Sequence, residues 1–265
     1  MHNICNNTLD LSSLEKVLRS VGIFSSDSNV GTGELPFGFV RSLSNNQEIE
    51  TKIDILEEED IRAAMATVCK LGIATSNFRY EIHDFFPGDG QDNVCRIAVG
   101  KPTEVWYKRK TATQLIRSPT VGIPFVTRIG EKFRPGHAGY SVIESEFANF
   151  TPHISFTKAC FNVFFHYQTY LFSLSFSLAE NPSGFSHKQM ELEFEGHRVG
   201  SDAPSFDKVL SIFEDIVTQR FTLFQDRLTA VTKASVIMSK HSAQKSVSTA
   251  VAREDVDAPD QNRHE

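Results

Sequence analysis

Apolar and polar positions alternate along much of this chain. In "NNQEIETKIDIL" (45–56), Glu48, Glu50, Lys52 and Asp54 share one face, and Ile49, Thr51, Ile53 and Ile55 share the other, which is the period of a strand. "EEEDIRAAMATVCKLG" (57–72) changes to a helix: acidic residues open it, alanines fill it and Gly72 closes it. "NFRYEIHDFF" (77–86) returns to strand and meets the turn "PGDG" (87–90). "NVCRIAVGKPTEVWYKRKT" (93–111) reads as a hairpin about Gly100-Lys101-Pro102, with Glu104, Trp106, Lys108 and Lys110 on one face of its second arm. Further strands are predicted at 123–129, 153–166 and 169–180, the last setting Phe172, Leu174, Phe176 and Leu178 against Ser173, Ser175 and Ser177. In "QMELEFEGH" (189–197), Glu191, Glu193 and Glu195 stand in a row opposite Leu192 and Phe194. An amphipathic helix over 203–234 follows, its stripe led by Phe206, Val209, Leu210, Ile212 and Phe213.

The two ends read differently. Residues 1–44 are expected to be peripheral: a helix over 11–24, then a Ser-, Gly- and Pro-containing loop over 25–38. From Ser235 the chain loses its large apolar residues, so 235–265 is expected to be a disordered tail. The domain expected between them spans 45–234, with no internal repeat.

Composition narrows the classes. The chain is 40% hydrophobic and 23% charged, as ordinary globular proteins are, and its 22 phenylalanines favour strands. A formal net charge of -6 argues against a long nucleic-acid surface, and leaves room for a small basic pocket that takes one phosphorylated end. None of the four cysteines forms a CxxC pair, so no structural zinc site is expected. No secretory h-region and no apolar run of membrane-spanning length is visible, so reduced thiols, a nuclear or cytoplasmic location and no membrane partner are expected. No histidine pair with metal-ligand spacing and no nucleophile elbow is present.

The chemistry lies in the glutamate rows. On an exposed strand they are ordinary. Inside a closed barrel, cross-strand carboxylates about 5 Å apart would repel by about 3 kcal/mol per pair at an effective dielectric of about 20. Inward rows would therefore need cations, and hard oxygen ligands suit Mg²⁺ or Mn²⁺. Lys52, Arg96, Lys108, Lys110 and Lys158 also fall on predicted strands. Basic side chains beside a carboxylate-held metal are what a polyphosphate requires.

"EIETK" (48–52) resembles the first motif of the triphosphate tunnel metalloenzymes, the CYTH superfamily, and "ELEFE" (191–195) resembles its last. The order between them is similar too: helix, "IHDFF", the "VCRI" strand, the "WYKRK" strand, long Phe-rich strands, and a terminal helix. The resemblance covers roughly 45–232 and is strongest to the metal-dependent RNA 5′-triphosphatases of fungi, protozoa and large DNA viruses, the compact kinetoplastid enzymes included. It implies an α+β fold built on an eight-stranded antiparallel β-barrel with flanking helices. It implies removal of the γ-phosphate from the 5′-triphosphate end of nascent RNA in mRNA cap formation, in the nucleus, beside a capping guanylyltransferase. By the same resemblance Glu48, Glu50, Glu191, Glu193 and Glu195 would hold Mg²⁺ or Mn²⁺. Arg96 and Lys108 would contact phosphate, with Lys52, Lys110 and Lys158 as further contacts, and Asp84 would orient basic side chains.

One motif departs from the family pattern. Where a later strand should carry an Arg-x-Lys-x-Arg-like cluster, "HISFTKACF" (153–161) offers only His153 and Lys158. Either Arg128, Lys132 and Arg134 supply that charge from another strand, or the tunnel is less basic. Two rival readings follow: hydrolysis of a small triphosphate (inorganic triphosphate, thiamine triphosphate or a nucleoside triphosphate), or a tunnel that binds polyphosphate or a partner without hydrolysis.

Overall fold

The computed structural model describes residues 35–43, 46–55, 57–87, 93–99, 104–231, 235–237 and 239. The helix expected over 11–24, the hairpin turn at 100–102 and most of the expected tail lie outside them. Eight long strands form the body: β2 (Gln47–Asp54), β3 (Ile73–Pro87), β4 (Asn93–Val99), β5 (Glu104–Arg117), β6 (Pro124–Phe133), β7 (Ile154–Tyr167), β8 (Tyr170–Glu180) and β9 (Ser186–Arg198). They pair antiparallel in the order β9-β8-β7-β3-β4-β5-β6-β2, and β2 pairs back onto β9. The closing register sets Glu50 against Glu193 and Lys52 against Glu191. The α+β fold with an eight-stranded antiparallel barrel is therefore what the chain adopts. Closure also removes the open sheet edges that such long strands would otherwise expose. Two short strands complete the sheet: β1 (Phe39–Val40) on β9, and β10 (Leu228–Thr229) on β2.

The barrel gathers its charged side chains inside, beside a few aromatic and other apolar ones, and buries an apolar outer face under helices. Ile49 and Ile53 of β2, Phe161, Val163 and Phe165 of β7, Phe172, Leu174 and Phe176 of β8, and Leu192 and Phe194 of β9 lie on the outer face. Two helices cover them. α1 (Glu58–Leu71) contributes Ile61, Ala64, Met65 and Val68. α3 (Phe206–Gln219) contributes Val209, Ile212, Phe213 and Ile216. Burial of each such side chain is worth about 1.5–3 kcal/mol, so the strand alternation and the helix stripes drive the same assembly. α1 begins in a capping box between Glu57 and Asp60, and α3 begins at Ser205, whose hydroxyl accepts the Lys208 amide at 3.2 Å. A third helix, α2 (Tyr140–Phe147), was not expected; it packs Ile143 against Phe86, Val94 and Tyr107 on the far side of the barrel.

The helix expected over 203–234 is shorter. It stops at Gln219, and a 3₁₀ turn (Thr222–Arg227) and β10 follow. Phe221 and Phe224 are both sunk in the main core, and Leu228 and Thr229 pair with Ile53 and Lys52, so tertiary burial overrides helical periodicity here. Ile237 lies beyond the expected boundary at Ser235 and is fully buried against Ile154, Phe156 and Ala179.

Candidate functional site

Period two on each strand delivers charged side chains into the tunnel. Glu48, Glu50 and Lys52 come from β2, Glu81 from β3, Lys108 and Lys110 from β5, Arg128 and Lys132 from β6, Lys158 from β7, and Glu191, Glu193 and Glu195 from β9. Arg41 and Arg134 line the same space. Eight Lys and Arg side chains thus face six Glu in a chain whose overall charge is -6. The tunnel has collected the minority charge of the molecule.

Ion pairs lace the two walls together. Arg128 donates from Nε to Glu48 at 2.9 Å and from Nη2 to Glu50 at 2.7 Å. Lys108 pairs with the other Glu48 oxygen at 2.8 Å. Lys52, 1% exposed, bridges Glu50 and Glu191. Burial pushes the carboxyl of Glu48 up, but Lys108 and Arg128 outweigh it and hold Glu48 well below the usual range. Glu50 is lowered in the same way, against burial, by Arg128 and Lys52. Arg128 is raised, because Glu50 and Glu48 outweigh the burial that opposes its charge. Gly130 makes this possible. A Cβ there would lie 2.4 Å from a Glu48 carboxylate oxygen, so only glycine leaves Glu48 its place.

Two sets of buried ionisable groups lack ion-pair partners among the described residues, and their surroundings disfavour the charged form of each. Glu193 has no hydrogen-bond or ion-pair partner among the described residues. Burial, then Glu195, Glu48 and Glu50, raise its pKa to about 8. Lys110 is held well below the ordinary lysine range by burial and by the nearby Arg128 and Lys108. Lys132 is lowered first by Lys108 and then by burial. A carboxyl and amines that their surroundings keep from ionising therefore share one tunnel: a cation would favour ionisation of the first and a polyanion that of the second. Glu195 accepts from Ser173 at 2.9 Å and pairs with Arg41 at 3.5 Å.

On the opposite wall Glu81, His83 and Cys95 form a relay. His83 Nε2 meets Glu81 at 2.6 Å, and its Nδ1 meets the Cys95 thiol at 3.3 Å. Phe85 and Phe156 stack beside His83. Lys158 lies 3.8 Å from Glu81. Burial pushes the Cys95 thiol far above its ordinary value, with Glu81 adding to the effect, so it stays protonated. Phe85 and Phe156, which line the tunnel, also pack with Ile154 and Ile237.

Most residues singled out in the sequence meet here: Glu48, Glu50, Lys52, Lys108, Lys110, Lys158, Glu191, Glu193 and Glu195 all line the tunnel. Arg96 and Asp84 do not, so the expected phosphate contact of Arg96 is not placed in the tunnel; Asp84 does hydrogen-bond a basic side chain, that of Arg96, but outside the lining. Asn93, Cys95 and Ile97 point inward from β4, so period two sends Arg96 outward. Arg96 bonds Asp84 there at 2.9 Å, and Asp84 also accepts from Ser155 at 2.7 Å. Arg128 and Lys132 of β6, and Arg134 just past its end, line the tunnel instead of a basic cluster on β7. Glu81, His83 and Cys95 were not singled out in the sequence, since no local motif joins residues brought together by the β3–β4 register.

Among the described residues no group of three or more His, Cys, Asp or Glu side chains is arranged to hold a metal ion. The chemistry of the donor set nonetheless fits one: Glu48, Glu50, Glu191, Glu193 and Glu195 offer only carboxylate oxygens, and Glu193 is short of positive charge.

No protein-family model matches the chain, and no curated protein matches it. Solved structures do. The RNA triphosphatase Pct1 of S. pombe is similar at 13% identity and a TM-score of 0.41, over 69% of this chain and 86% of that one. The triphosphatase of the Mimivirus capping enzyme is similar at 11% identity and a TM-score of 0.42, over 67% and 90%. A conserved hypothetical protein from Pyrococcus furiosus is similar at 13% identity and a TM-score of 0.42, over 70% and 97%. The barrel itself rests on its own strand pairing.

Proposed function

We propose that this protein is a metal-dependent polynucleotide 5′-triphosphatase, which removes the γ-phosphate of nascent RNA in the first step of cap formation. The observation that carries the reading is the tunnel lining itself: Lys110 and Lys132, which have no ion-pair partner among the described residues, stand in one lining with Glu193, which has none either. A metal–polyphosphate pair satisfies both at once. The net acidity outside the tunnel fits recognition of an end rather than of a long strand.

The residues divide the work. Lys108, Lys110, Arg128 and Lys132 hold phosphate oxygens and neutralise charge as it develops. Glu48, Glu50, Glu191, Glu193 and Glu195 would hold Mg²⁺ or Mn²⁺, which polarises the γ-phosphate and makes bound water more acidic. In the free protein, the ion pairs of Glu48 with Lys108 and Arg128 keep both partners in place. When phosphate arrives, Arg128 and Lys108 turn to it and release the Glu48 carboxylate. Lys52, locked between Glu50 and Glu191, positions those two glutamates rather than substrate. The diphosphate end is then the substrate of a capping guanylyltransferase, in the nucleus.

The test is release of γ-phosphate from triphosphate-ended RNA with Mg²⁺ or Mn²⁺, measured beside ATP and inorganic triphosphate. Metal-dependent release from RNA, abolished in Glu193→Ala, is the expected result. Release from small triphosphates only would change the substrate, and release from none would leave a polyphosphate-binding protein.

A further inference from the structure

The tunnel lining includes one buried donor that the protein leaves unused. Trp106 faces inward from β5, is 7% exposed, and its indole Nε1–H has no hydrogen-bond partner. A buried indole N–H ordinarily finds an acceptor. The Arg134 guanidinium lies over the same ring, 4.2 Å from its centroid.

The strand register sets this pair relative to the cations. Lys108 pairs with Lys132 across β5 and β6, and the next inward-facing positions on that side are Trp106 and Arg134. Same-face neighbours on a strand are about 7 Å apart. So the indole–guanidinium pair stands one such step from Lys108 and two from Lys110. A ligand with its phosphates among Lys108, Lys110, Lys132 and Arg128 brings the group that follows them to Trp106.

We propose that Trp106 and Arg134 form a nucleoside subsite, which binds the sugar and base that follow the triphosphate. The proposal rests on the triphosphate reading above and adds the two residues that contact the nucleoside, and with them a preference over inorganic triphosphate. The planar guanidinium offers its outer face to a base. The indole N–H donates to a sugar oxygen. Inorganic triphosphate would leave that donor unsatisfied, which is how a polar site rejects a ligand lacking its partner. Stacking on a π-face tolerates any base, so the four nucleotides should bind alike.

Calorimetry on the full chain with Mg²⁺ tests this, using β,γ-imido nucleoside triphosphates beside inorganic imidotriphosphate. The nucleotides should bind at least about tenfold more tightly, with little difference between bases. Trp106→Phe, which keeps an aromatic ring and removes the donor, and Arg134→Gln should each cut that preference to about threefold or less. Trp106 is the single tryptophan of the chain, so its emission should shift with nucleotide and not with inorganic triphosphate. Equal affinities in the unaltered protein, or a preference that survives both substitutions, would overturn the subsite and leave the triphosphate reading standing. Binding of neither ligand would overturn both. Should Trp106→Phe fail to fold, the Arg134→Gln result decides.

Discussion

Arg128 and Arg96 make the same kind of bond on opposite sides of one barrel wall. Arg128, inside, has a side chain 5% exposed and bonds two carboxylates, Glu48 and Glu50. Arg96, outside, is 43% exposed and bonds one, Asp84. Water decides the difference. Outside, solvent screens the pair and little depends on it. Inside, burial opposes every charge, and only mutual pairing keeps Glu48 and Glu50 low and Arg128 high. The lesson is that the side of the wall, not the residue type, decides whether an ion pair is screened by water or buried with its partners.

Removing each arginine separates the two cases. Arg128→Gln leaves two buried carboxylates without their shared partner, so unfolding free energy should fall by about 3–5 kcal/mol and phosphate release should be lost. Arg96→Gln should cost no more than about 1 kcal/mol and change phosphate release by less than about twofold. Denaturant unfolding and phosphate release on the two variants check this. A large loss of activity with Arg96→Gln would return Arg96 to the site and break the comparison.

The same contrast explains what could be read from the chain. Alternation sorts a strand into two faces without saying which turns inward. On β2 and β9 the choice makes itself, because Ile49 and Ile53, or Leu192 and Phe194, must meet the core. On β4 the rival sets are Cys95 and Ile97 against Arg96 and Ala98, and an arginine looked like tunnel chemistry; the polarity contrast was too weak to correct it. The alternation marks β6 only as far as 129, whereas the strand runs to Phe133, with Lys132 on it and Arg134 just past its end. There Gly130 breaks the run of charge, and its purpose is visible only once Glu48 is seen across the barrel. The Glu81–His83–Cys95 relay depends on the β3–β4 register, which no local pattern encodes.

Gly130→Ala sharpens the inside case. Its Cβ would displace the Glu48 carboxylate, which is the flexible end of a side chain, so the fold should survive with a loss of about 1–3 kcal/mol. Phosphate release should fall at least about tenfold, because Glu48 can no longer sit between Arg128 and Lys108. Near-normal activity in a folded Gly130→Ala protein would remove Glu48 from the machinery.

A gentler effect belongs to Glu193. Its folded pKa, about 8, lies above its ordinary value, so between about 4.5 and 8 the folded state binds more protons than the unfolded one. Metal-free stability should therefore fall as pH rises through that window. Glu193→Gln should flatten the slope, and Mg²⁺ should restore stability at pH 8 while releasing a proton. Urea midpoints at several pH values, with and without metal, measure it; an unchanged slope in Glu193→Gln would show that other groups carry the proton.

The smallest effect compares two thiols. Cys69 is exposed on α1, whereas Cys95 is buried in the tunnel wall, its thiol pushed far up by burial and hydrogen-bonded toward His83. Thiolate is the reactive form. At pH 8 Cys69 should alkylate readily and Cys95 should not, and raising the pH to 9 should leave Cys95 unreactive while the chain stays folded. Peptide mapping after brief iodoacetamide treatment reads both sites at once. Fast modification of Cys95 in the folded protein would mean that the relay delivers its proton to His83, and the wall opposite the glutamates would then hold a nucleophile rather than a neutral hydrogen-bonded support.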